Sequence, residues 1–111
     1  MSIRVLPTTS RFPAYQMQFA LDGRRYIVLM RWNTRDQAWS MDWLTRTRDP
    51  LLRGIKIVYG VELMQRFAIG RLPDGEMYAT RLGGNRDRPM RFAWNDDAVL
   101  TFVPRGFEFD G

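Results

Sequence analysis

The stretch YQMQFALDGRRYIVLMRWNTRDQAWSMDWL, residues 15–44, reads as a three-stranded antiparallel meander whose register is specified twice. Tyr15, Met17, Phe19 and Leu21 alternate with Gln16, Gln18 and Ala20, the period-2 pattern of a strand with one buried face. Asp22-Gly23 follows, a dipeptide suited to a two-residue type I′ turn in which both positions need positive φ. A loop of that length sets Phe19 opposite Tyr26, Met17 opposite Val28 and Tyr15 opposite Met30. The next turn, Thr34-Arg35-Asp36-Gln37, sets Trp32 opposite Trp39, Met30 opposite Met41 and Val28 opposite Trp43. Both turns therefore collect Tyr15, Met17, Phe19, Tyr26, Val28, Met30, Trp32, Trp39, Met41 and Trp43 on one face. A slip of one residue would send all of them to the other face, so agreement between the turns specifies the pairing.

The reverse face carries Arg25, Ile27, Leu29 and Arg31 beside Gln16, Gln18, Ser40, Asp42 and Leu44. Ile27 and Leu29 need cover on that side, from the rest of a closed barrel or from another subunit. A diagonal Arg31–Asp42 pair is expected there, worth only ~0.2–1 kcal/mol if exposed.

Outward from the meander, Ile3-Arg4-Val5-Leu6 reads as a short strand ended by Pro7, and 8–13 as a polar turn region. After Leu44 comes an exposed loop, Thr45-Arg46-Thr47-Arg48-Asp49-Pro50, whose like charges keep it solvated. Segment 51–58 suggests one or two short strands with a bulge or close approach at Gly54. Segment 62–67 fits a helical face or a strand. Leu72-Pro73-Asp74-Gly75 is a turn signal, and 76–82 a strand with Met77 and Ala79 on one face, Tyr78 and Thr80 on the other. Segment 83–91 is expected to be a mobile basic loop, and 98–103 a last strand stopped by Pro104. The chain thus reads as one all-β domain over 1–111, with its core at about 3–103 and a C-terminal tail at 104–111. The expected architecture is a small antiparallel barrel or sandwich of six to seven short strands built on the meander.

Composition narrows the chemistry. With 111 residues, 45% of them hydrophobic and 26% charged, the chain suits one globular core without staples. Cysteine is absent, which removes disulfides, thiolate catalysis and thiolate-bound metals. Histidine is absent too, and with it the usual general base near neutral pH. No apolar run approaches the ~18–20 residues that span a bilayer, so no membrane role is expected. Met1-Ser2-Ile3-Arg4 lacks a secretory apolar region, and synthesis and use without export by that route are expected. The net charge is +5, and Lys56 is the sole lysine; the other basic residues are arginine. Coding bias accounts for such a preference, while forked guanidinium donors also suit acidic partners or nucleic acid.

No catalytic pattern emerges. Asp87, Asp96 and Asp97 read as turn and cap residues, since no EF-hand spacing surrounds them. Gly83-Gly84-Asn85 lacks the lysine and following helix of a phosphate loop. An enzyme is not expected, nor a cofactor or metal. Trp32, Trp39 and Trp43 could form a stacking platform for single-stranded nucleic acid, and an exposed Trp39 or Trp43 could serve a carbohydrate-binding module. Their company of Met17, Val28, Met30 and Met41 favours a core instead. Arg46, Arg48, Arg86, Arg88 and Arg91 are either a solvated rim or contacts to phosphates or acidic groups. What stands out is a basic all-β module with surplus apolar surface, better suited to assembly than to catalysis.

Several ordered signals carry a resemblance. They are Leu6-Pro7, segment 15–21 with Asp22-Gly23, segment 26–30 leading to Arg31-Trp32-Asn33 with Arg35 in the turn, and segment 39–44. Pro50-Leu51-Leu52, Gly54-Ile55-Lys56-Ile57-Val58 with Gly60 and Leu63, and Leu72-Pro73-Asp74-Gly75 complete them. This order resembles the small baseplate plug proteins of contractile-tailed bacteriophages over about residues 3–103, most specifically in the Arg-Trp-Asn-x-Arg turn and the tryptophan strand after it. The resemblance implies a non-enzymatic virion component, made in the host cytoplasm, that plugs or organises the distal tube and hub of the tail. It implies contacts with hub, tube and spike proteins and a symmetric set of copies, with no membrane. It gives Arg25, Ile27, Leu29, Arg46, Arg48, Arg86 and Arg88 a role as candidate protein contacts. The alternative is a small β-barrel that binds single-stranded nucleic acid.

Overall fold

The computed structural model describes residues 4–21, 23–64, 73 and 75–104. Among these the chain forms seven strands and no helix. They are β1 (Arg4–Val5), β2 (Ala14–Leu21), β3 (Arg24–Asn33), β4 (Ala38–Thr45), β5 (Pro50–Lys56), β6 (Gly75–Arg81) and β7 (Ala98–Pro104). Two antiparallel sheets result, ordered β2-β3-β4-β5 and β1-β7-β6, and they do not close on each other. The fold is therefore the sandwich, not the barrel.

The meander has the register that its turns dictate. Phe19 pairs with Tyr26, Met17 with Val28 and Tyr15 with Met30; Trp32 pairs with Trp39, Met30 with Met41 and Val28 with Trp43. The second turn owes its shape to Asn33, whose Oδ1 accepts from the main-chain N–H groups of Arg35 and Asp36 at 3.0 and 3.2 Å. This side-chain mimicry of a backbone turn suits Asn at the first turn position.

The shared face is core. Trp39 and Trp43 are 0% exposed, which removes them as a stacking platform and as carbohydrate-binding surfaces. Edge-on ring contacts run along the face: Tyr15 to Trp39 at 6.0 Å, Trp32 to Trp39 at 5.7 Å, Phe19 to Trp43 at 5.7 Å and Tyr26 to Trp43 at 5.5 Å. Such pairs add about 0.5–1.5 kcal/mol each beyond the area they bury. Met77, Ala79, Leu100 and Phe102 supply the second sheet's half of the core, joined by Leu6, Ile57 and Leu63.

Gly54 carries the expected irregularity. Its φ is +68°, and the β4–β5 register shifts on either side of Trp43. Gly75 starts β6 for a different reason: a Cβ there would lie 2.4 Å from the Val103 carbonyl oxygen and 2.5 Å from the Phe102 ring. Met77 and Ala79 face inward from β6 as their alternation requires, and Tyr78 is half-buried on the other side. Residues 62–64 are neither helix nor strand. They cover β6 instead, Leu63 N–H donating to Met77 O at 3.0 Å while the Glu62 carboxylate accepts from Met77 N–H at 2.5 Å. The rest of 62–67, positions 72 and 74 of the proline turn, and the tail from 105 lie outside the described residues.

The segment expected to be a mobile basic loop is pinned at several points. Trp39 Nε1–H donates to Met90 O at 2.9 Å, Tyr59 N–H to Asp87 O at 3.0 Å, and Leu82 N–H to Asp97 O at 2.6 Å. Asp96 and Asp97 sit in a turn whose N–H groups return to Ala93 O at 3.1 and 2.8 Å, so the turn-residue reading holds.

Candidate protein-contact surfaces

The outer face of the four-stranded sheet is apolar at its centre and polar around it. Ile27 and Leu44 pair across β3 and β4 and are 6% and 7% exposed, while Leu29 is half-buried. Ile27 is thus covered within this chain, and Leu29 is the part of the stripe left open. Gln16, Gln18, Arg25 and Arg31 are exposed around it.

Beside the stripe, Arg31 Nη2 donates to Asp42 Oδ2 at 2.9 Å, the diagonal pair expected from the register. Asp42 does more than pair. Its Oδ1 accepts the Gly54 N–H at 2.7 Å, so one carboxylate ties the bulged strand to β4 and orients an arginine on β3. The glycine's role was legible in the sequence; its acceptor was not, because nothing local links positions twelve residues apart on a bulged strand.

The arginines separate into two groups at opposite ends of the sheet. At the end made by the β2–β3 and β4–β5 connections, Gly23, Arg24, Arg25, Tyr26, Thr45 and Arg46 line an open concavity of about 470 Å³. Arg24, Arg25 and Arg46 are exposed and make no side-chain hydrogen bond or ion pair with any described residue. Among the described residues no carboxylate lines that concavity. Arg48 lies in the same connection with φ +69° and donates to Gln16 Oε1 at 3.1 and 3.4 Å, which holds it against β2.

At the other end Arg88 and Arg91 are structural. Arg88 donates through Nε to Gln37 O at 2.8 Å and pairs with Asp87 at 2.7 Å, clamping the 82–97 connection to the β3–β4 turn. Arg91 donates to Ser10 O at 2.6 Å, with its guanidinium 4.6 Å from the Phe92 ring centre and 5.6 Å from that of Trp39. Arg86 is exposed, and its main-chain carbonyl accepts from Arg81 at 3.4 Å. The structure therefore brings Arg25 and Arg46 together, keeps Arg48 nearby, and sets Arg86 and Arg88 apart. Arg24, which sequence reasoning passed over, belongs with the first group; its place directly after the Asp-Gly turn was the available signal.

Among the described residues no group of three acidic side chains converges as a metal site. Three tyrosines have phenols held above their ordinary value near 10: Tyr15 and Tyr59 chiefly through burial, and Tyr78 chiefly through its hydrogen bond to the Glu76 carboxylate at 2.7 Å. None of these is poised for proton transfer near neutral pH.

No curated protein is significantly similar to the chain. The family model described as "Cyanophage baseplate Pam3 plug gp18" matches residues 3–105, spanning both sheets and every strand described above. The chain belongs to that phage baseplate plug family, whose members are structural parts of the virion tail.

Proposed function

We propose that this protein plugs or organises the distal tube and hub of a contractile phage tail without catalysing a reaction, and that it does so through contacts with hub, tube or spike proteins in a symmetric set of copies. The match of the plug family over residues 3–105 carries the reading. The contacts fall on the part of the stripe left open at Leu29, beside the covered Ile27, and on the arginine end at Arg25 and Arg46, with Arg48 beside them. Unpaired guanidinium groups around a concavity suit carboxylates on a neighbouring protein, because planar forks bind them in two-point fashion. Arg86 offers a further exposed contact; Arg88 contributes by holding its loop in place. The chain is made in the host cytoplasm and then incorporated into the virion.

Quantitative mass spectrometry of purified tails tests this directly. A fixed ratio of this chain to the hub or spike is expected, and that ratio gives the symmetry; absence from intact tails would overturn the proposal. Nucleic-acid binding would have to do without Trp39 and Trp43, which are buried, and rest on charge with the partly buried Trp32.

A further inference from the structure

The two outer strands of the four-stranded sheet are built differently. β5 carries the devices that keep a sheet edge from pairing: Pro50 without an N–H, exposed Arg53 and Lys56, and the bulge at Gly54. β2 carries none of these over its eight residues, Ala14-Tyr15-Gln16-Met17-Gln18-Phe19-Ala20-Leu21. It has no charged residue and no proline, and its pairing with β3 runs without a shift. Unprotected edges of this length invite another strand.

The free hydrogen-bonding groups on β2 can be assigned. Trp32 N–H donates to Pro13 O at 2.7 Å, so alternate residues from Pro13 onward bond to β3. The main-chain groups of Ala14, Gln16, Gln18 and Ala20 consequently point away from the sheet. Arg4 bears this out by donating its Nη1 to Ala20 O at 3.2 Å from the open side. No described residue bonds the outward groups of Gln16 and Gln18.

The sequence of this edge is chemically palindromic about Met17. Reading outward on both sides gives Gln16 and Gln18, Tyr15 and Phe19, then Ala14 and Ala20. We propose that β2 pairs antiparallel with β2 of a second copy of this chain, about a two-fold axis at Met17, joining two four-stranded sheets into one. Gln16 then faces the partner's Gln18, Ala14 faces the partner's Ala20, and each of these pairs exchanges two main-chain hydrogen bonds between groups that already point outward. On the inner side Tyr15 faces the partner's Phe19, and Met17 meets its own copy, so the aromatic face continues across the axis. Registers centred on Gln16 or Gln18 keep the bonding parity but leave Ala20 or Ala14 unpaired. Registers centred between residues set an outward group against an inward one. The arginine on Ala20 O gives way to the partner's Ala14 N–H, a small change for an exposed side chain. A two-fold contact closes at two copies, so a ring around the tube needs a different surface; the arginine end remains free for it.

Light-scattering mass of the full chain over a concentration series tests the pairing. A twofold mass is expected, with the Gln16 and Gln18 amides protected from hydrogen exchange. Gln18→Pro removes an outward N–H that β3 does not use and is expected to give a folded monomer. Should that variant not fold, Gln16→Lys with Gln18→Lys sets like charges across the axis on exposed positions and is expected to do the same. Mixing the double-lysine chain with the chain carrying Gln16→Glu and Gln18→Glu should then restore a mixed pair. A wild-type chain that stays monomeric, or a dimer whose Gln16 and Gln18 amides exchange freely, would overturn the inference. Neither result depends on whether the chain is found in tails, so the two proposals fail separately.

Discussion

The two ends of the sandwich use the same residue type for opposite purposes. Where the β2–β3 and β4–β5 connections meet, Arg24, Arg25 and Arg46 surround a concavity and have no partner among the described residues. Where the β3–β4 turn meets the 82–97 connection, Arg88 and Arg91 spend their donors on main-chain carbonyls and aromatic faces. A guanidinium can do either, since its stem packs while its fork bonds. The difference lies in what surrounds it. The loop carbonyls of Gln37 and Ser10 make clamps of Arg88 and Arg91, whereas Arg24, Arg25 and Arg46 meet no such acceptor among the described residues. Net charge alone therefore overstates how much of this protein's basic surface can meet a partner.

Substitutions at the two ends should part along that line. The largest loss is expected from Arg91→Ala, which frees the Ser10 carbonyl and strips the cation from Trp39 and Phe92. About 2 kcal/mol of stability should go, combining a charged hydrogen bond with cation–π contact. Urea denaturation should show it as a lower midpoint at unchanged slope. Arg88→Ala should cost about 1 kcal/mol, because its bond to Gln37 O is strong but its ion pair with Asp87 is exposed. Loosening of the loop should appear as faster hydrogen exchange at Tyr59, whose N–H depends on Asp87 O.

Arg25→Glu with Arg46→Glu should change stability by less than about 0.5 kcal/mol, since neither side chain has a partner to lose among the described residues. The same pair should sharply reduce incorporation into tails. Tails that assemble and infect normally with both changes would leave the concavity without a role in assembly.

The smallest effect near neutrality is that of pH. Tyr15, Tyr59 and Tyr78 have raised phenol pKa values in the folded state, so the folded chain holds these protons more tightly than the unfolded one. Their contribution is fully present below about pH 10, the unfolded value, and declines as pH rises through the higher folded values. Alkaline unfolding followed by tyrosine absorbance should begin there. Tyr15→Phe should blunt part of the decline, while leaving the Thr9 N–H without its acceptor.

The meander was legible because two kinds of local information agree in it. Alternation assigned the faces, and the lengths of the two turns assigned the partners, down to the diagonal Arg31–Asp42 bond. Gly54 announced its bulge for a similar reason, as a residue that adopts φ +68° without strain. The 83–91 loop misled because its glycines and charges resemble those of a solvated segment. Its anchors through side chains are Gln37, Trp39 and Ser10, some 51 to 81 residues away, and no local pattern reports them.

By itself, the sequence determined an all-β domain, the register of its central sheet, a core rich in tryptophan and methionine, and the resemblance that family membership later matched. These follow from side-chain alternation and turn chemistry, which act over a few residues. Only the tertiary structure decided that the sheets stack as an open sandwich, that Ile27 is already covered, and which arginines are free. Those outcomes depend on which distant carbonyls and rings come to lie beside a given side chain, and chain topology sets that distance.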